Sequence, residues 1–267
     1  MAVPSVRAGL AVPLVAVAVL TACGGQDPVA EPGRTPATPA TPTTPTTPTT
    51  GPSAAPTAPG ELVLRWRLTG GIAGMGGPGT VPDFSLYGDG RAFAKGLEYR
   101  LKPDALQRLL DGARAAGLGT PRHIERGQVA DVRVLVLTFG AARTTISQPE
   151  AENVPQTRFW KRLDPAGWAT SDQAAPAKPY VAERAAVIAG DTGEEPGPAK
   201  PWPLAALGGG QQALGGLCTV YTGADARTAQ RVAASREARW RSGGKVYSVR
   251  LRPLLPDERT CADAARS

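Results

Sequence analysis

Residues 83–95 read DFSLYGDGRAFAK, which is two apolar runs separated by a glycine-rich turn. Asp89 and Gly90 form an Asp-Gly pair, which readily takes the positive φ angles of a tight hairpin turn. The flanking runs, Asp83–Tyr87 and Arg91–Lys95, have the length and composition of strands. The stretch therefore predicts a β-hairpin, and it predicts an antiparallel sheet near the start of the folded domain.

The segment before this hairpin alternates between apolar and other residues from Glu61 to Leu68. This period of two is typical of a half-buried strand. One face carries Leu62, Leu64, Trp66 and Leu68, and the other carries Val63, Arg65 and Arg67. We expect this strand to open the domain, with its two arginines on the solvent side.

A helix is predicted after the hairpin, because Pro103 suits a first helical turn and Asp104 favours the positive end of the helix dipole. Its apolar positions are spaced at i, i+3, i+4 and i+7, and they are Leu106, Leu109, Leu110 and Ala113. This spacing gives one buried face. Gly117 is expected to end the helix as a left-handed cap.

The following segments are less regular. Val132–Phe139 is apolar on both faces, which predicts a central strand, and Arg143–Gln148 could pair with it. Gln156–Leu163 is a candidate short helix. Asp164–Gly216 is rich in Pro, Gly and Ala, and we expect long connections there with one short turn or helix near Val181–Ile188.

A second ordered block closes the chain. It comprises a predicted strand at Leu217–Tyr221, an Ala-rich helix at Ala224–Ala238 and a strand at Lys245–Leu251. The predicted class is α+β, with an antiparallel or mixed sheet, a hairpin and packed helices. Residues 61–267 form this domain, either as one unit or as two subdomains at 61–165 and 198–267.

The N-terminus has the pattern of an export signal. Arg7 precedes an apolar run, Ala8–Leu20, that is too short for a membrane span of about 20 residues. The run ends in Leu20-Thr21-Ala22-Cys23-Gly24, which resembles the lipobox of bacterial lipoproteins. The resemblance implies a signal peptide at 1–22 and a diacylglycerol thioether on Cys23. The alternative is an ordinary secretory signal cleaved elsewhere, with Cys23 discarded or disulfide-bonded.

A Thr/Pro-rich linker follows. Residues 24–60 contain ten prolines and ten threonines, and Pro36, Pro39, Pro42, Pro45 and Pro48 recur every third residue. Polyproline II has three residues per turn and rises about 3.1 Å per residue. We therefore predict that 23–60 is an acylated cysteine followed by a disordered, extended linker that could reach roughly 100 Å. Such stalks are also acceptors for O-glycosylation.

The domain itself resembles one found in uncharacterised actinobacterial lipoproteins. The resemblance lies in the segment FSLYGDGR at 84–91 with the helix and strand after it, and in RPLLPDE at 252–258 followed by Cys261. These motifs cover most of residues 61–261 and imply a fold without a known activity. The loop at Gly70–Gly79 departs from the pattern, since it is mostly glycine where these proteins have an aromatic residue and prolines.

The net charge of the domain does not identify its binding partner. The net charge of +7 belongs entirely to residues 61–267, because two arginines balance two acidic residues in the first 60. A basic exported domain would meet anionic lipid headgroups or an anionic wall polymer, and nucleic-acid recognition motifs are absent from the sequence. The same Arg-rich composition also arises from GC-rich coding. If the first and last strands share a sheet, four arginines would converge on one face: Arg65, Arg67, Arg250 and Arg252.

The two remaining cysteines, Cys218 and Cys261, are expected to form a disulfide in an oxidising compartment. The alternative is a catalytic Cys218 that works with His123, the only histidine of the chain. His123 lies in a charged, loop-like segment that could also bind an anion or simply be exposed.

No catalytic, cofactor-binding or metal-binding motif is found in the sequence. It lacks a Gly-x-Ser-x-Gly elbow and a pair of histidines for zinc, and its glycine-rich stretches lack the Lys-Ser/Thr of a phosphate loop. The carboxylates considered for an unrecognised hydrolase site are Asp83, Asp89 and Asp131. Aromatic residues could line a ligand groove or pack in the core: Trp66, Trp160, Trp168, Trp202 and Tyr221.

The sequence is thus interpreted as a membrane-anchored envelope lipoprotein whose domain, on the extracytoplasmic face, is a non-enzymatic binding or interaction domain. Its contacts are expected to be the lipid bilayer, through Cys23, and an anionic wall polymer, envelope protein or small ligand, through the domain. The alternatives are an envelope hydrolase and a structural or inhibitory protein.

Overall fold

The computed structural model describes residues 58, 60–71, 74–77, 79–125, 127, 131–193, 198–233 and 238–267. The predicted signal peptide, Cys23 and nearly all of the linker lie outside these residues. Residues Thr49–Ser267 group into one compact unit. No helix within the described ranges is both long and apolar enough to cross a membrane.

An eight-stranded mixed sheet forms the first part of this unit. Its strands are β1 Leu62–Gly70, β2 Phe84–Tyr87, β3 Arg91–Ala94, β4 Leu97–Leu101, β5 Arg122–Ile124, β6 Arg133–Phe139, β7 Ala142–Ser147 and β8 Gln173–Pro179. Their order is β5-β7-β6-β1-β2-β3-β4-β8, and only the β5–β7 pair is parallel. The opening strand therefore lies in the middle of the sheet.

The predicted hairpin is confirmed, although of the Asp89-Gly90 pair only Gly90 takes a positive φ angle. Strands β2 and β3 pair antiparallel, with Phe84 opposite Ala94. Gly90 has a φ of +80°, and a Cβ atom there would lie 2.8 Å from the carbonyl oxygen of Leu101. Glycine is required at this turn for both reasons.

Two helices cover the first sheet, and they are α1 Pro103–Ala115 and α2 Pro155–Trp160. The predicted face of α1 packs in the main hydrophobic cluster, which also contains Leu64, Phe84, Leu135 and Phe159. Gly117 has a φ of +76°, and the N–H of Leu118 bonds to the carbonyl of Ala113. The predicted left-handed end of this helix is thus confirmed.

A six-stranded sheet forms the second part. Its strands are β9 Arg184–Asp191, β10 Lys200–Pro201, β11 Gln211–Ala213, β12 Gly216–Thr222, β13 Arg239–Ser242 and β14 Lys245–Pro253, in the order β10-β13-β14-β9-β12-β11. The helices α3 Gly223–Val232 and α4 Cys261–Arg266 accompany it. The fold is α+β, with more strand than helix.

The prediction for residues 164–216 was wrong, because this segment contains four strands. The stretch near Val181–Ile188, expected as a turn or helix, enters β9, a central strand of the second sheet. Alanine favours helices, but small side chains also let a strand be covered on both sides. Val187 packs in one hydrophobic cluster and Ile188 in another, on the opposite face. Burial on both faces outweighs the local propensity.

The predicted pairing of Cys218 with Cys261 is confirmed by distance, since their Sγ atoms lie 2.03 Å apart. Cys218 is on β12, and Cys261 begins α4. Both side chains are buried in the cluster that also contains Ile188 and Leu254. The bond therefore attaches the C-terminal helix to the second sheet.

Candidate functional site

A cleft of about 440 Å³ opens beside the β3–β4 hairpin, and we call it the apolar cleft. It is lined by residues from several elements that are far apart in sequence. Those that form its walls are mainly aromatic or aliphatic: Trp66, Val81, Phe93, Trp160, Tyr180 and Leu255. The first sheet supplies one side, and the segment after β14 reaches it from the second part of the fold.

Ring packing holds the aromatic walls. Trp66 on β1 and Trp160 at the end of α2 meet edge to face, with ring centroids 5.7 Å apart. Phe93 and Tyr180 meet in the same way at 4.6 Å. Such contacts fix the ring orientations, so the cleft has rigid aromatic sides.

Tyr180 has a restrained hydroxyl. It donates a hydrogen bond to the carbonyl oxygen of Leu254 at 2.6 Å. Burial raises the pKa of Tyr180 to about 12, and the nearby negative charge of Glu258 acts in the same direction. The side chain is therefore neutral at physiological pH and serves as a fixed wall.

Charged groups lie at the rim of the cleft. Lys95 and Asp164 form an exposed ion pair with Nζ and Oδ2 3.1 Å apart. The backbone N–H of Ala166 and the ammonium of Lys95 lower the pKa of Asp164. Asp83 accepts a hydrogen bond from the backbone N–H of Leu68 at 2.8 Å. These carboxylates are engaged, and Asp164 is ionised near neutral pH.

A second concavity, of about 580 Å³, adjoins the apolar cleft, and we call it the cationic pocket. Four basic side chains line it together with two acidic ones: Arg91, Lys178, Arg184, Arg259, Glu98 and Glu183. Tyr180 and Leu255 line both the cleft and the pocket. The two concavities are therefore neighbours.

An ion network lies behind these walls, in the interior. Arg65 is only 6% exposed, and its guanidinium bonds to Asp257 at 2.8 Å and to Ser85 at 2.9 Å. The hydroxyl of Tyr87 also donates to Asp257. Desolvation and the charge of Asp257 raise the pKa of Tyr87, which therefore stays neutral. The network joins the first sheet to the segment after β14.

Arg252 and Glu258 form the other half of the network. The guanidinium bonds to both carboxylate oxygens at 2.9 and 3.0 Å, and both side chains are almost fully buried. Arg252 also donates to the carbonyl of Thr80 and to the hydroxyl of Ser267. Arg67 donates to the same carbonyl, and burial, followed by the charges of Arg252 and Arg65, lowers its pKa.

The expected basic surface is corrected by this arrangement. β1 and β14 lie in different sheets, so the condition for four arginines to converge on one sheet face is not met. Arg67 and Arg252 do meet at the carbonyl of Thr80, but Arg65 and Arg252 are buried and paired with carboxylates. Arg250 is exposed and donates to the carbonyl of Leu214. The alternation predicted the side on which Arg65 lies, but it could not show that the C-terminal segment covers that side.

The other candidate residues, the three carboxylates and His123, lie in different parts of the structure. Of the three carboxylates only Asp83 lines the cleft, whereas Asp89 pairs with Arg91 in the hairpin turn, and Asp131 has a φ of +55°. His123 is exposed and contacts Thr145 and Glu125. Within the described ranges no group of His, Cys, Asp and Glu side chains is placed to hold a metal ion.

The aromatic candidates also lie in different places, some in the cleft and others in the two hydrophobic cores. Trp66 and Trp160 line the cleft, while Trp168 packs against Phe84 and Tyr99 in the first core. Trp202 packs against Tyr221 and Trp240 in the second core.

Sequence reasoning missed Phe93, Tyr180 and Leu255 in the cleft. The hairpin motif contained Phe93, and the RPLLPDE motif contained Leu255, but nothing in either motif indicated that they meet. No protein-family model matches the sequence, and neither the curated proteins nor the solved structures include a significant match.

Proposed function

We propose that the protein is a membrane-anchored envelope lipoprotein whose domain is a binding module, with the apolar cleft as its ligand site. The lipobox at Cys23 and the linker support the anchor and the extracytoplasmic location. The cleft supports the binding role, and it is the observation on which this proposal depends.

The size and lining of the cleft suit a small ligand. Ligand pockets commonly measure about 300 to 1,000 Å³ and combine apolar walls with a few polar groups. The cleft has about 440 Å³, aromatic walls and an ion pair at the rim. Transfer of an apolar group from water onto these walls would supply the binding energy.

Exposure of apolar side chains supports the same site. Val81 is 40% exposed and lines the cleft. Met75 is equally exposed but does not line it. The two residues give a matched pair of positions for a test.

The test uses the fragment 49–267, the compact unit that contains both sheets, exported so that its disulfide forms. We expect the neutral dye N-phenyl-1-naphthylamine to bind it with increased fluorescence. Val81→Arg places a charge at the cleft and should weaken dye binding by about tenfold or more, whereas Met75→Arg should not.

Thermal unfolding of each variant provides the control for folding. A folded Val81→Arg variant that binds the dye as well as the unsubstituted fragment would refute the site. Failure of the unsubstituted fragment to bind the dye would contradict the proposed function as a whole.

A further inference from the structure

We infer that the ligand is a single anionic amphiphile, with its apolar chain in the apolar cleft and its phosphate or carboxylate in the cationic pocket. This inference rests on the proposed function and adds the ligand class. Three observations carry it: the adjacency of the two concavities, their different charge, and the position of exposed apolar side chains.

The two concavities adjoin at Tyr180 and Leu255, which line both. The ring of Tyr180 packs on Phe93, a residue of the cleft. Its hydroxyl bonds to the carbonyl of Leu254, a residue that lines the cationic pocket. One molecule could therefore contact both sites by passing along the Tyr180 side chain.

The charges of the two sites differ. The cleft rim has two lysines, Lys95 and Lys161, and two aspartates. The pocket has four basic residues, of which Arg91 pairs with Asp89 and Lys178 with Glu98. Its positive excess therefore rests on Arg184 and Arg259, against Glu183. Arg184 is held by the main-chain carbonyls of Pro256 and Glu258, both at 3.3 Å. These carbonyls orient the guanidinium without cancelling its charge. An orientated arginine suits the planar recognition of a carboxylate or phosphate.

Exposed apolar side chains mark both sites. In the described part of the chain, the large apolar residues that are clearly exposed are Met75, Val81 and Val181. Val81 lines the cleft, and Val181, which is 68% exposed, lines the cationic pocket. An apolar side chain beside cations suits the junction between the chain and the head group of an amphiphile.

A small amphiphile explains these features better than a polymer or a bilayer surface. Both sites are concave, with volumes of about 440 and 580 Å³, and their shared wall lets one molecule occupy both, which a flat surface could not do. A purely ionic polymer would leave the aromatic walls of the cleft in water.

The test compares dodecyl phosphate with dodecanol, which has the same chain and no charge, by calorimetry on the fragment 49–267 below the micelle concentration. Inorganic phosphate is the third probe. We expect dodecyl phosphate to bind about tenfold more tightly than dodecanol, because charge-assisted hydrogen bonds add to the same apolar contact. Inorganic phosphate alone should bind far more weakly than dodecyl phosphate.

Two double variants test the location of the head group. Lys178→Gln with Arg259→Gln removes two exposed charges of the pocket while Arg184 stays in place, and should reduce the preference for dodecyl phosphate while leaving dodecanol binding unchanged. Lys245→Gln with Arg266→Gln removes the same number of exposed charges elsewhere, and should preserve the preference.

Each outcome bears on one proposal or on both. Equal binding of dodecyl phosphate and dodecanol, or an unchanged preference in the folded Lys178/Arg259 variant, would overturn the inference and leave the apolar cleft standing. Inorganic phosphate that binds as tightly as dodecyl phosphate would show that the pocket takes free anions, and would also overturn it. If neither dodecyl compound binds, the proposed function fails as well.

Discussion

Replacing Glu258 by glutamine would remove one charge from the interior while keeping the shape of the side chain. Glu258 accepts two hydrogen bonds from Arg252 and one from the backbone N–H of Leu255, and it is fully buried. The amide oxygen of the introduced side chain can still accept from Leu255. The guanidinium of Arg252 would lose its counter-charge in a place that water cannot reach.

The expected cost follows from this burial. Breaking a buried ion pair by removing one partner costs about 3 to 5 kcal/mol, because the remaining charge is not solvated. In a domain of this size 1 kcal/mol shifts the melting temperature by roughly 2 to 4 °C. We therefore expect Glu258→Gln to lower the melting temperature by about 6 to 20 °C.

The assay is urea and thermal unfolding of the fragment 49–267, with Glu150→Gln as the control. Glu150 pairs with Arg133 at 2.9 Å, but both side chains are nearly half exposed, so its loss should cost less than about 1 kcal/mol. Adding Arg252→Met to Glu258→Gln should recover part of the lost stability, since no buried charge then remains unpaired. Equal effects of Glu258→Gln and Glu150→Gln would refute the reasoning.

Three further predictions concern the anchor, the disulfide and the tyrosine of the cleft. Cys23→Ser should leave the precursor uncleaved and move the protein out of the detergent-rich phase, and a variant that still partitions like the unsubstituted protein would contradict the anchor. Non-reducing peptide mapping should recover Cys218 linked to Cys261, and two freely alkylated thiols in the native protein would contradict the bond. Replacing both cysteines by Ser should lower the free energy of unfolding by about 4 kcal/mol, because the bond closes a loop with a sequence separation of 43 residues. Because the pKa of Tyr180 is raised from 10.0 to about 12, its contribution to stability is present below pH 10 and is lost as the pH rises from 10 to 12. Urea unfolding across this range should show a shallower pH dependence for Tyr180→Phe, and an unchanged slope would argue against the raised pKa.

The sequence correctly predicted those elements whose buried face is determined by residues of the same element. The Asp89-Gly90 turn, the apolar face of α1 and the central strand at Val132–Phe139 all follow from residues within one element. In each case the side chains that decide the structure are close in sequence. The hairpin and the helix could therefore be placed before any tertiary contact was known.

The prediction failed where distant residues decide the environment. Arg65 has the pattern of a solvent-facing residue, but Asp257, 192 residues later, pairs with it in the interior. The strand β9 is rich in alanine, and only coverage on both faces by residues from other elements makes it a strand. Trp66 and Asp83 were recognised as candidates, whereas Tyr180 and Leu255 join them only through the tertiary fold.

The pairing of β1 with the segment after β14 has a consequence for how the chain reaches its folded state. Contacts that span so much of the sequence slow folding, because a long loop must close before they contribute. During synthesis from the N-terminus, β1 emerges first, but the carboxylates that neutralise Arg65 and Arg252 emerge only with residues 257 and 258. Until then Arg65 has neither its counter-charge nor the segment that covers it, so this face of the first sheet stays open to water. A nascent chain that stops before residue 258 cannot close this side of the first sheet, so the segment after β14 controls when the interior becomes complete.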